Sequence, residues 1–296
     1  MFRTLVDTSI LRSHLDDPAW VIVDCRFTLT DTGAGARAYA AGHIPGARYA
    51  HLDLDLSSEI GPGTGRHPLP DPVLLAEKLG SWGIGAGSQV VVYDDSLGAM
   101  ASRLWWLLRW LGHDAVALLD GGIQKWRREG LPVSAAVTVP VPVRFEPLRD
   151  DRLWVSSEFV RDVVARRECL LIDARAEERF RGDIEPLDPV AGHVPGAVNH
   201  PFEDNLDLGG QFLEPAALHS LYLGILKDVP PERVIQMCGS GVTACHNLLA
   251  MEHAGLRAGR LYAGSWSEWI ADPRRPVARG DAQNEEILPL GAGAVR

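Results

Sequence analysis

The chain has 296 residues, 46% of them apolar, enough for one large or two ordinary domains with real cores. Its formal charge of −10 argues against non-specific nucleic-acid binding, which needs a basic face, but leaves room for a small anion held by local amides and an arginine. No uncharged apolar run approaches the roughly 20 residues of a membrane span, and Met1 to Asp7 has no long uncharged core, so neither a span nor a signal peptide is expected, and a cytoplasmic protein with reduced thiols is.

In chain order, Val21-Ile22-Val23-Asp24 reads as the first buried strand, with Cys25 at its end as a small buried thiol. Ala41-Gly42-His43-Ile44-Pro45-Gly46-Ala47 follows, and then Asp53 to Pro72, a stretch rich in Gly, Pro and Ser. Val90 to Tyr93 reads as a strand running into Asp94-Asp95-Ser96-Leu97-Gly98, Ala101 to Leu111 as a helix, and Leu118-Leu119 as a further short strand. Residues 132–151, with Pro132, Pro140, Pro142 and Pro147, read as a linker laid out as an extended strap. Cys169 precedes the apolar run Leu170-Leu171-Ile172, and Val234 to Met237 forms another strand, leading into Cys238. Cys245 to His253 is helix-like, and after Pro276 the tail turns polar and Gly-rich, with loose order expected.

The chain repeats itself. Val21-Ile22-Val23-Asp24-Cys25-Arg26 recurs as Leu170-Leu171-Ile172-Asp173-Ala174-Arg175, the aspartates 149 apart, and the AGHIPGA run recurs as Ala191-Gly192-His193-Val194-Pro195-Gly196-Ala197, 150 apart. Gly121-Gly122-Ile123-Gln124-Lys125-Trp126 recurs loosely as Ala263-Gly264-Ser265-Trp266-Ser267-Glu268-Trp269, the final tryptophans 143 apart. An offset of this size means duplicated domains, and Asp53 to Pro72 is the expected place of the length difference. Strands alternating with helices imply a parallel sheet covered on both faces in each copy, an α/β fold. The boundaries follow as residues 1–131, a linker over 132–151, and 152–296.

Cys238-Gly239-Ser240-Gly241-Val242-Thr243-Ala244 places one cysteine between a strand and a helix. The first amides of a helix lack intrahelical acceptors and carry the positive end of its dipole, so a sulfur there is held as the nucleophilic thiolate. The other three cysteines have no such surroundings, and no His/Cys cluster has the spacing of a zinc site. Cysteine phosphatases need an arginine six residues after the nucleophile to fork around phosphate; Ala244 stands there, which disfavours a phosphatase-like hydrolase. In the first copy Asp94 begins the corresponding loop, and a carboxylate cannot act as a thiol nucleophile. That copy is expected to be non-catalytic, and features found in both, His193 included, are more simply explained by the fold.

Two copies of DxR…GHxPGA, with CGSGVTA only in the second and GSWSEW near the end, resemble the tandem rhodanese sulfurtransferases over roughly Leu5 to Val277. The resemblance implies two rhodanese-like α/β domains, each a parallel sheet flanked by helices, the second catalytic. It implies that Cys238 takes the outer sulfur of a small anionic donor as a persulfide and passes it to cyanide or to a thiol such as reduced thioredoxin. Amides from Gly239, Gly241, Val242, Thr243 and Ala244 would support the anion, and no metal or organic cofactor is implied. The neutral loop resembles that of members using 3-mercaptopyruvate, in which the serine at Ser240 helps protonate the leaving enolate, a histidine matching His43 assists, and an acid, here Asp31, orients it. Arg179 matches the arginine that grips the donor's anionic end, while Arg175 and Arg181 are expected in structural ion pairs. Asp188 stands where mercaptopyruvate enzymes often carry a second arginine, and a carboxylate there is expected to repel the donor. A thiosulfate-preferring enzyme and a persulfide carrier without small-donor turnover remain the alternatives.

Overall fold

Short runs of β-branched and aliphatic residues form the strands, because a strand covered on both faces needs apolar side chains on both. In the computed structural model, which describes residues 1–166, 168–257, 259–282 and 284–289, these runs build two five-stranded sheets of the same design. The first contains β1 (Leu5–Val6), β2 (Trp20–Asp24), β3 (Arg48–Tyr49), β4 (Gln89–Tyr93) and β5 (Val116–Leu119), in the order β1-β5-β4-β2-β3. The second contains β6 (Trp154–Val155), β7 (Leu170–Asp173), β8 (Val198–Asn199), β9 (Val234–Met237) and β10 (Arg260–Tyr262), in the order β6-β10-β9-β7-β8. All strand pairs in both sheets are parallel. The central strands β4 and β9 are buried throughout, Gln89 and Gln236 included, as parallel strands covered on both faces are.

The chain divides into two compact units. The first comprises Met1–Ser58, Leu69–Asp151 and Asp207–Phe212; the second comprises Glu59–Pro68, Arg152–Leu206 and the chain from Leu213 onward. The proline-rich strap groups with the first unit. Its main chain docks there through Val143 N–H to Gly80 O at 2.9 Å and Leu148 N–H to Leu111 O at 2.8 Å, and Phe145 is buried. The Gly/Pro/Ser-rich stretch expected to hold the length difference contributes Glu59–Pro68 to the second unit.

The repeated motifs are explained by a repeated frame. Arg26 pairs with Asp24 and donates Nη2–H to Gly42 O at 2.9 Å, while Arg175 pairs with Asp173 and donates to Gly192 O at 2.8 Å. Each arginine so ties the end of its strand to the glycine before the GHxPG histidine. The histidines repeat the pattern: His43 stacks on Tyr39 and His193 on Phe180, and each Nδ1 lies 2.8 Å from a carbonyl, of Tyr39 and Phe180. The tryptophans close each unit, Trp126 donating to Pro132 O and Trp269 to Pro276 O. The tail after Pro276 departs from its expected loose order. Strand β11 (Pro276–Arg279) pairs antiparallel with β12 (Glu286–Pro289), burying Val277 and Ala278. Residues 290–296 lie outside the described residues.

Candidate active site

Strand β9 ends at Met237 and delivers Cys238, 2% exposed, into the turn before the helix Ala244–His253. The start of the helix Ser265–Trp269 holds it from the other side. Cys238 N–H donates to Ser265 Oγ at 3.1 Å, Trp266 N–H to Cys238 O at 3.0 Å, and Ser267 N–H to Gly239 O at 2.9 Å. Of the loop amides expected to support the sulfur, that of Gly241 reaches it, donating to Sγ at 3.2 Å. Gly241 has φ of +76°, and a Cβ there would stand 2.2 Å from Ala263 O, so the loop closes on the sulfur only with glycine at this position. Val242 and Ala244 are buried and Thr243 caps the helix, with no side-chain cap bond.

Ser240, 5% exposed, lies two residues after Cys238, and its Oγ is 2.7 Å from Nδ1 of His67, itself 3% exposed. This is a buried hydroxyl–imidazole pair, able to carry a proton to or from a group bound at the loop. The histidine expected in that part was His43, and the structure gives it different surroundings. His43 is fully buried within the first unit, with Nδ1 against Tyr39 O and Nε2 3.2 Å from Ala136 O, and its main chain bridges to Ser134. Both ring nitrogens face main-chain carbonyls, as fits a packing residue. Asp31, expected to orient it, is half exposed and pairs with Arg37.

Arg179 donates Nη2–H to Glu185 Oε1 at 2.8 Å and to Asp188 Oδ2 at 3.2 Å, and its Nε also bonds Glu185. Arg66 donates Nη1–H to the other oxygen of Asp188. Burial holds the Asp188 carboxyl above its usual range, and the Arg66 charge offsets this only in part. Arg175 stays structural, tied to Asp173 and Glu185 and lying 4.9 Å over the Trp266 ring. Arg181 pairs with Asp183 and Asp281.

The first unit shows the same turn with a different filling. Asp94, in the place of Cys238, accepts amide hydrogen bonds from Ser96, Gly98, Met100 and Ala101, at 2.8–2.9 Å. A turn built to present amides to an anion is here closed by its own carboxylate.

Comparison with known proteins accounts for both units. The family model described as the rhodanese-like domain matches twice, over residues 7–129 and 157–272. The chain belongs to the rhodanese family. It is 50% identical over 279 residues to a Pseudomonas aeruginosa protein named "Probable 3-mercaptopyruvate sulfurtransferase", covering 94% of this chain and 98% of that one. It is 33% identical to the thiosulfate sulfurtransferase of Cricetulus griseus, covering 95% and 97%. The solved 3-mercaptopyruvate sulfurtransferase from Leishmania major superposes with a TM-score of 0.78 at 31% identity, covering 90% of this chain and 74% of that one. This rhodanese is accordingly a sulfurtransferase, an enzyme acting between a sulfur donor and an acceptor.

Sequence reasoning missed His67 and Arg66. Both sit in Gly65-Arg66-His67-Pro68, inside the stretch read as a mere length difference. The signal available was an arginine and a histidine side by side in a loop of turn formers, since loops on rigid frames carry function.

Proposed function

We propose that this rhodanese moves sulfur from 3-mercaptopyruvate through a persulfide on Cys238. The thiolate attacks the donor sulfur and the donor's carbon–sulfur bond breaks, its electron pair leaving as the enolate of pyruvate. The donor's thiol proton passes to that enolate carbon, so the products are pyruvate and a Cys238 persulfide anion. The Gly241 amide supports the anion, and Ser240 with His67 relays the proton. The terminal sulfur then goes to a thiol such as reduced thioredoxin, or to cyanide in an assay, restoring the thiolate. A cytoplasmic setting fits four free cysteines.

The observation that carries this reading is the buried Ser240–His67 bond beside Cys238. Mercaptopyruvate leaves as a carbanion equivalent that needs a proton, whereas thiosulfate leaves as sulfite, which does not. Ser240→Ala and His67→Ala are therefore expected to lower kcat/KM for mercaptopyruvate by about 10²- to 10⁴-fold and to spare thiosulfate. The check is steady-state kinetics with both donors and cyanide as acceptor. Equal losses on both donors, or a wild-type preference for thiosulfate, would overturn the mercaptopyruvate reading in favour of a thiosulfate enzyme. Turnover of neither donor would favour a persulfide carrier.

A further inference from the structure

Asp188 is the residue least in keeping with an anionic donor, because a lone carboxylate beside the site would repel it. The structure shows how it is used. Its side chain is 3% exposed, with Arg66 on one oxygen and Arg179 on the other. The carboxylates of Asp188 and Glu185 take up Nη1 of Arg66 and Nε and Nη2 of Arg179. Among the described residues, Arg66 Nη2 and Arg179 Nη1 have no acceptor. Both lie against Gly239: a Cβ built there would stand 2.9 Å from Arg66 Nη2 and 3.7 Å from Arg179 Nη1. Two unspent donors of two cations thus flank the residue directly after the nucleophile.

Arg66 is held by the same helix start that holds the cysteine. Arg66 N–H donates to Ser267 Oγ at 3.0 Å, while Ser265, Trp266 and Ser267 hold the main chain of Cys238 and Gly239. The acid at Asp188 and the arginine at Arg66 therefore work as one device.

We propose that Arg66, held in place by Asp188, is the second cation of the donor clamp, gripping with Arg179 the carboxylate of an α-keto acid thiol over Gly239. The missing second arginine is supplied from a different segment, and Asp188 positions it. This inference rests on the sulfur-donor reading above. A planar carboxylate suits two converging guanidiniums, each giving a charge-assisted hydrogen bond.

The experiment compares 3-mercaptopyruvate with its methyl ester, which lacks the carboxylate charge, in the wild type, Arg66→Met and Arg66→Lys. Arg66→Met is expected to raise KM for the acid roughly 10- to 100-fold, with kcat held within about threefold. KM for the ester stays as in the wild type, so the preference for acid over ester collapses, and Arg66→Lys keeps part of it. Asp188→Asn is expected to raise the acid's KM in the same direction. An equal loss on acid and ester, or an unchanged KM for the acid, overturns the proposal while leaving the donor reading intact. If the wild type turns over thiosulfate alone, the donor reading fails separately and thiosulfate becomes the probe. A raised thiosulfate KM in Arg66→Met then supports the clamp, and an unchanged one overturns it.

Discussion

At the scale of single residues, the four cysteines separate by environment. Cys25 is buried at the end of β2, and burial pushes its thiol well above the usual range, which keeps it protonated and inert. Cys245 points back along its helix, donating Sγ–H to Gly241 O at 3.4 Å, and Cys169 lies near Arg260. Cys238 stands at the turn before a helix, with the Gly241 amide on its sulfur. Cys238→Ser is expected to lower sulfur transfer at least about a thousandfold with the fold intact, while Cys25→Ser, Cys169→Ser and Cys245→Ser keep most of the activity. Kinetics, together with intact-protein mass after donor treatment, decides the matter. An added sulfur atom on Cys238→Ser would put the persulfide elsewhere. The loop that carries Cys238 and Ser240 was legible because its strand, glycines and helix follow one another in the chain. His67 was not, because its bond to Ser240 spans 173 positions and no local pattern announces it.

At the scale of elements, the strands were legible wherever both faces are buried. The runs Val21 to Asp24, Val90 to Tyr93 and Val234 to Met237 each became a central strand. The two-residue edge strands β1, β3, β6 and β8 are too short to leave a periodicity. The β11–β12 hairpin was hidden because in β11 only Val277 and Ala278 are buried. The loop elements are where sequence and geometry meet most tightly, and Gly241 tests this. Adding a Cβ forces a left-handed backbone on a side chain and drives it into Ala263 O, 2.2 Å away. Gly241→Ala is expected to lose about 2–4 kcal/mol of stability together with sulfur transfer. Gly224 gives the contrast, lying in the helix Pro215–Leu226 with open space at its Cβ. Gly224→Ala should gain about 0.5–1 kcal/mol and keep full activity. Urea midpoints and kcat/KM on the two variants check both statements; a tolerated Gly241→Ala would contradict the close approach.

At the scale of the whole molecule, the duplication was legible from a near-constant offset, because both copies need the same Asp–Arg–Gly frame to close a sheet end. The assignment of Glu59–Pro68 to the second unit was not, since no repeat predicts which frame a connecting segment joins. The duplicated cores also set the response to acid. His113 in the first unit and His193 and His200 in the second are all buried, and burial lowers the pKa of each below its ordinary value. The unfolded chain therefore binds more protons than the folded one as pH drops. Their contribution is fully present above the unfolded value of about 6.5 and is lost as pH falls from there toward the folded values. Each histidine removes at most about 1.4 kcal/mol per pH unit in that window. Carboxylates act lower: Asp7, pulled well down by its hydrogen bond to Lys125, gives up its share only below about pH 4. Urea unfolding at pH 8, 6.5 and 5.5 should show a midpoint that is level between the first two and falls by the third, with an unchanged slope. A midpoint flat or rising to pH 5.5 would mean that these imidazoles gain solvent or a partner on protonation. If the midpoint falls as expected, His193→Gln, which cannot titrate, should flatten part of the fall, because burial outweighs the Phe180 carbonyl and the Glu285 carboxylate in holding the His193 ring neutral.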